Sequence, residues 1–151
     1  MIKILFICLG NICRSPMAEF VMKDIVRKNG MENEFYIESA ATSSEEIGNQ
    51  MHYGTRDKLM EKGIPFGDKR ARKLLAEDYE KFDYLIGMEE SNIRNIKRIC
   101  GQDKENKIFR LLDFSNIPRD IDDPWYTGNF GKTYQDVLEG CLALFRALDK
   151  M

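Results

Sequence analysis

The chain alternates short, continuously apolar runs with longer amphipathic stretches. Residues 2–8, IKILFIC, are apolar apart from Lys3, the pattern of a strand buried on both faces. Ser15-Pro16 then opens a helix, since serine accepts from free N–H groups and proline suits the first helical position. That helix is predicted to run to about Asn29–Gly30, with Phe20, Val21, Ile25 and Val26 in its buried stripe. Phe35–Ala41 reads as a second strand. A helix from about Gln50 to Lys62 follows, stopped by Gly63 with Pro65 beyond it. Tyr84–Met88 is a third strand, Ser91–Ile99 a helix capped by Ser91, and Ile108–Leu112 a fourth strand. The last helix, about Thr133–Asp149, puts Val137, Leu138, Cys141, Leu142, Phe145 and Leu148 on one face.

Strands alternating with helices predict an α/β protein with a parallel sheet. With 151 residues and no repeat, linker or low-complexity tract, residues 1–151 read as one domain. A net charge of −2 speaks against nucleic-acid binding, which needs a basic excess. The opening apolar run is too short to span a membrane and lacks the features of a signal peptide. A cytoplasmic protein with reduced thiols and no membrane partner is expected. Cysteines 8, 13, 100 and 141 form no C-x2-C pair and His52 is the sole histidine, so neither metal nor cofactor is expected.

Ligands of open α/β sheets gather at the carboxyl ends of strands, where FICLGNICRSP (residues 6–16) lies. The N–H groups from Leu9 to Ser15 can converge on an anion, reinforced by the positive end of the next helix. Arg14 adds a planar fork matched to two phosphate oxygens. Cys8 would face the phosphorus in a field that favours thiolate, with Ser15 hydrogen-bonded to the sulfur. A cysteine five residues ahead of an arginine also arises by chance, and Cys8 could be a small buried hydrophobe ending a strand. The preceding strand, Gly10 within the loop and the following helix favour the oxyanion cup.

Attack on an aryl phosphate expels a phenolate, which calls for an acid. IDDPWYT, residues 121–127, offers Asp122 and Asp123, with Pro124 fixing the backbone and aromatic rings able to shield a carboxyl. Alone, DDPW reads as a surface turn. Beside the Cys8 loop it reads as an acid-bearing one. Trp125 and Tyr126 wall the pocket mouth, or else one ring packs into the core.

Cys8–Pro16 resembles, position for position, the phosphate-binding loop of the low-molecular-weight protein tyrosine phosphatases. Ser39-Ala40-Ala41-Thr42-Ser43, Ala71-Arg72, Phe82-Asp83-Tyr84, Met88-Glu89-Glu90-Ser91-Asn92 and Asp123-Pro124-Trp125-Tyr126 extend the resemblance over nearly the whole chain. It implies a single-domain, three-layer, flavodoxin-like sandwich with a four-stranded parallel sheet in order 2-1-3-4. It also implies a phosphatase, without cofactor, acting on phosphotyrosine in proteins and on small aryl phosphates through a phosphocysteine on Cys8, and releasing inorganic phosphate. Arg14 and the loop Leu9, Gly10, Asn11, Ile12, Cys13 and Ser15 would bind phosphate. Asp123 would serve as acid and then as base, with Asp122 beside it.

The resemblance pairs Asn11, in a left-handed conformation, with Ser39 as a brace, although the Ser39 hydroxyl could bond nearby backbone instead. Lys69 stands where relatives carry a histidine, and Glu45 where many carry an aromatic wall, which predicts an altered peptide preference. Isoleucine at Ile12 favours phosphotyrosine, since relatives acting on phosphoarginine tend to carry threonine. A reversible Cys8–Cys13 disulfide is implied as a redox guard, the alternative being an inert packed thiol. Tyr126 is a candidate for phosphorylation. The run Lys69–Lys73 either steers anions or is a solvated face. Gly131-Lys132-Thr133 resembles a nucleotide loop but has Tyr126 where its first glycine belongs.

Two other classes compete. An arsenate reductase of the same fold needs a close cysteine pair in a separate loop, whereas Cys100 and Cys141 are 41 residues apart. A phosphate-binding module without turnover would not need Cys8, Arg14, Ser15 and Asp123 together.

Overall fold

The computed structural model describes residues 1–149. Strands β1 (Ile2–Cys8), β2 (Phe35–Ala41), β3 (Tyr84–Gly87) and β4 (Ile108–Arg110) pair in parallel, in the order β2-β1-β3-β4. The apolar opening run is explained by its central place. Ile4, Phe6 and Cys8 enter one core cluster while Leu5 and Ile7 enter another, as the two-residue period of a strand requires. Helices α1 (Arg14–Lys28), α2 (Tyr53–Glu61) and α6 (Phe130–Asp149) cover the first face. The short α3 (Asp78–Lys81) and α4 (Glu90–Cys100) cover the second. A four-residue helix, α5 (Pro124–Thr127), sits in the loop after β4. The result is the expected single-domain, three-layer α/β sandwich.

Several boundaries differ from expectation, and each difference has a local cause. The first helix opens at Arg14, and Ser15 does not cap it, because its hydroxyl turns inward to the Cys8 sulfur. Nor does Ser91 cap α4. Glu89 and Asn92 exchange side-chain and backbone bonds there, and the Ser91 hydroxyl donates to Glu89. Helix α2 begins at Tyr53 rather than Gln50, since His52 Nδ1 accepts from the Gly54 N–H at 3.0 Å and fixes the start. Strand β3 stops at Gly87. Strand β4 stops at Arg110, where Leu111–Phe114 coils into a 3₁₀ turn that buries Leu111 and Leu112. Helix α6 starts at Phe130, a turn early, with Asn129 Oδ1 accepting from the Lys132 N–H at 3.0 Å. A Cβ on Gly140 would lie 2.4 Å from Leu111 Cγ, so this glycine lets α6 close on that turn.

In a parallel sheet all carboxyl ends face one edge. The loops after β1, β2, β3 and β4 therefore open together around central β1.

Candidate active site

The loop after β1 is folded by Asn11, whose φ of 59° is the left-handed conformation expected of it. Its backbone N–H lies 3.3 Å from Cys8 Sγ, its side-chain amide donates to Ser15 Oγ at 2.8 Å, and Ser15 Oγ is 3.0 Å from that sulfur. Neighbours hold the loop from outside through its carbonyls. Cys8 O accepts from Thr42 N–H, Leu9 O from Ser43 N–H, Ile12 O from His52 N–H and Cys13 O from Thr55 Oγ1, all within 3.0 Å. With these carbonyls turned outward, the Gly10, Ile12 and Cys13 N–H groups have no protein acceptor among the described residues. Such a loop presents donors, and donors are what an anion needs.

Arg14 leaves this loop fully buried, at 2% exposure. One terminal nitrogen, Nη1, bonds the Glu89 carboxylate and also the Ile121 carbonyl at 2.8 Å. The other, Nη2, is 3.4 Å from Asp123 Oδ2. The buried Nε has no partner among the described residues. Burial alone would lower the guanidinium pKa, but Cys8, Asp123 and Glu89 outweigh it and raise it, so Arg14 stays charged.

Asp123 is held from both sides. Ile121 donates its N–H to Met88 O at 2.9 Å, and Asp123 Oδ1 caps α5 by accepting from the Trp125 N–H at 3.0 Å. Asp122 is exposed. The cleft above Cys8 is lined by loop residues and Arg14 at its base, Asp123, Trp125 and Tyr126 on one side, and Ser43, Glu45 and Glu46 on the other. Trp125 is 58% exposed, which removes the alternative that its ring packs into the core. Arg14 is the one cation among these lining residues, and neither glutamate has an ion-pair partner among the described residues. Among the described residues no group of three or more His, Cys, Asp or Glu could hold a metal ion.

The expected brace is arranged differently. Asn11 does not bond Ser39; its Oδ1 accepts from the Arg72 N–H at 3.1 Å. The Ser39 hydroxyl donates to Glu19 Oε1 at 2.6 Å, and Lys69 Nζ reaches Ser39 O at 2.9 Å. Ser39 thus ties β2 to α1 rather than bracing the loop directly. The 69–73 run is not simply a solvated face either, because Arg72 pairs with Glu38 and Asp78.

Cys13 is buried, and its pKa is raised to about 12 by burial first and then by Cys8 and Asp123, with Arg14 opposing. Burial also raises Cys100, to about 11, and raises Cys141 on α6 further.

Glu89, the Ile121 carbonyl and the Arg72 N–H carry weight that the sequence pattern did not assign. Glu89 was visible only as part of Met88–Asn92. A carboxylate just past a strand adjoining β1 is the signal that could have found it.

A family model described as low-molecular-weight phosphotyrosine protein phosphatase matches residues 3–151. The chain is 40% identical over 152 residues to the low-molecular-weight protein-tyrosine-phosphatase YfkJ of Bacillus subtilis, covering 99% of this chain and 97% of that one. The crystal structure of YfkJ superposes with a TM-score of 0.95 at 40% identity, covering 99% of this chain and 96% of that one. PtpA of Staphylococcus aureus, named as the same kind of phosphatase, is 39% identical over 142 residues, 93% of this chain and 90% of that one. The low-molecular-weight protein tyrosine phosphatase SP-PTP of Streptococcus pyogenes is 41% identical with a TM-score of 0.88, covering 98% of this chain and 93% of that one.

Proposed function

Because the chain belongs to the low-molecular-weight phosphotyrosine protein phosphatase family, we propose that it hydrolyses phosphotyrosine in proteins through a phosphocysteine on Cys8. One observation carries the site assignment. Arg14, whose buried Nε has no protein acceptor among the described residues, lines the same cleft as Cys8, so a donor and a nucleophile face one anion-sized site.

The chemistry follows from the contacts. The Cys8 sulfur attacks phosphorus as the phosphorus–phenolic oxygen bond breaks. Arg14 and the amides from Leu9 to Ser15 neutralise the equatorial oxygens, and Asp123 gives its proton to the departing phenolate. Asp123 then takes a proton from water, whose oxygen attacks phosphorus and breaks the S–P bond, releasing inorganic phosphate and the Cys8 thiolate. Donation from Ser15 Oγ and the Asn11 N–H to sulfur makes it a better leaving group in that second step. Trp125 and Tyr126 flank the ring of the substrate.

The reading extends to a cytoplasmic protein whose thiols stay reduced, with Cys13 as the partner of Cys8 in a reversible disulfide under oxidant. The arsenate-reductase alternative is weakened by Cys141, which is buried on α6 with Sγ against Ala18 O. Ile12 favours phosphotyrosine over phosphoarginine.

Turnover of phosphotyrosine, phosphoserine and phosphoarginine peptides tests the reading. Cys8→Ser should abolish release of phosphate, and Asp123→Ala should slow phosphotyrosine turnover by about 10²–10⁴-fold. Retained activity in Cys8→Ser overturns the mechanism. Tight binding without phosphate release would favour a binding module.

A further inference from the structure

We propose that His52 is a positioning residue that fixes the acid-bearing loop against the phosphate loop. The inference rests on the reading of Asp123 as the acid. Upstream, that loop is anchored by Ile121 and by the contact of Asp123 with Arg14. Downstream it consists of the exposed Trp125 and Tyr126, followed by Gly128 in a left-handed turn. The Trp125 ring meets the His52 ring edge-on, with centroids 5.6 Å apart and planes at 80°.

His52 is itself immobilised against the other half of the site. Its N–H donates to Ile12 O in the phosphate loop at 2.9 Å, and its Nδ1 caps α2 through the Gly54 N–H. Its ring stacks on Phe130 at 5.0 Å and on Tyr53 at 4.4 Å. Phe130 in turn packs on Ile12, Cys13 and Ala71. This packing leaves no slack. A Cβ on Gly54 would lie 2.4 Å from the Phe130 ring, so only glycine admits that ring at the start of α2. A continuous path of contacts thus runs from Ile12 and Cys13 through Phe130 and His52 to Trp125, two residues from Asp123.

The path has a chemical consequence that general destabilisation lacks. Protonation matters most when the leaving phenolate is strongly basic and little when it is a good leaving group. Loosening the loop should therefore slow esters of ordinary phenols and spare esters of nitrophenols. A loss of stability alone would slow both equally.

The test is kcat/KM on phenyl phosphate and dinitrophenyl phosphate. Asp123→Asn comes first: if it slows both esters equally, the assignment of Asp123 fails, whatever His52 does. Given a split in Asp123→Asn, His52→Ala should slow phenyl phosphate by about 10-fold more than dinitrophenyl phosphate, the scale of a small misplacement of a catalytic group. His52→Phe keeps the flat ring and should restore the wild-type ratio. Should His52→Ala not fold, His52→Leu keeps apolar bulk without the flat ring that meets Trp125 and should show the same split. An unchanged ratio between the two esters, whether both slow equally or neither slows, overturns the proposal.

Discussion

Arg14 projects from the start of α1, yet its guanidinium is fixed by Glu89, which follows a different strand, β3. The bond joins residues 75 positions apart and engages Nη1, while Nε has no protein acceptor among the described residues. Glu89→Ala would leave a buried cation with Asp123 as its remaining carboxylate partner among the described residues. The cost should be about 2–3 kcal/mol, below the ~3–5 for fully buried pairs because Glu89 retains some water contact. Urea unfolding checks the stability. Inhibition by inorganic phosphate should weaken in parallel, and an unchanged inhibition constant would sink the positioning role of Glu89.

Asn11 combines a left-handed backbone with two side-chain bonds, one to Ser15 and one to the Arg72 N–H. Asn11→Leu meets the strain of that conformation, roughly 1–2 kcal/mol, and strands the Arg72 N–H, about 1–3 kcal/mol more. Asn11→Gly relieves the first cost and not the second. Thermal unfolding should therefore rank wild type above Asn11→Gly, and Asn11→Gly above Asn11→Leu. Equal midpoints for the two variants would remove backbone strain from the account.

The strands and the long helices were legible because their signals are local. A continuous apolar run marks a doubly covered strand, and i, i+3, i+4 spacing marks α1 and α6. Caps were misread where a tertiary partner outbid the local one: Ser15 turns to Cys8 and Ser91 to Glu89. Cys8, Arg14 and Asp123 could be named because their residue types and loops are distinctive, and the structure brings the three together. The Asn11–Ser39 pairing failed because Glu19 takes the Ser39 hydroxyl while Arg72 supplies a donor to Asn11 from another loop. The contacts of Glu89 with Arg14 and of His52 with Trp125 join separate loops, so no single segment's pattern shows them, and the place of Glu89 just past β3 was the one available cue.

Cys13 has a pKa raised to about 12, so in the folded protein it is a thiol at neutral pH. Only the thiolate reacts with iodoacetamide. Burial, the first cause of that shift, persists in the native Cys8→Ser variant although the contribution of Cys8 is lost, so alkylation of Cys13 there should be very slow at pH 7 and keep rising with pH past the range of an ordinary thiol. Peptide-resolved mass spectrometry follows the site. A plateau near pH 8–9 would mean an ordinary, accessible thiol. The same ionisation limits the proposed disulfide, so its formation with Cys8 after peroxide should also accelerate with pH.

Glu45 and Glu46 stand at the mouth of a cleft whose one lining cation, Arg14, is already engaged at its base. Neither carboxylate is balanced by an ion pair among the described residues, so a peptide carrying acidic residues beside its phosphotyrosine is repelled. One carrying lysine or arginine there is attracted. Rim pairs of this kind contribute roughly 0.2–1 kcal/mol each, which predicts about a three- to tenfold preference in kcat/KM for basic over acidic flanks. Raising the salt to about 0.5 M should shrink the ratio, because screening reaches the exposed rim and not the buried Arg14. In Glu45→Gln/Glu46→Gln the ratio should fall toward one at low salt. Reversing both charges in Glu45→Lys/Glu46→Lys should carry it below one, toward acidic flanks. Matched peptides differing only in the flanking residues make the comparison, and an equal ratio in all three proteins would show that the two glutamates do not select the peptide.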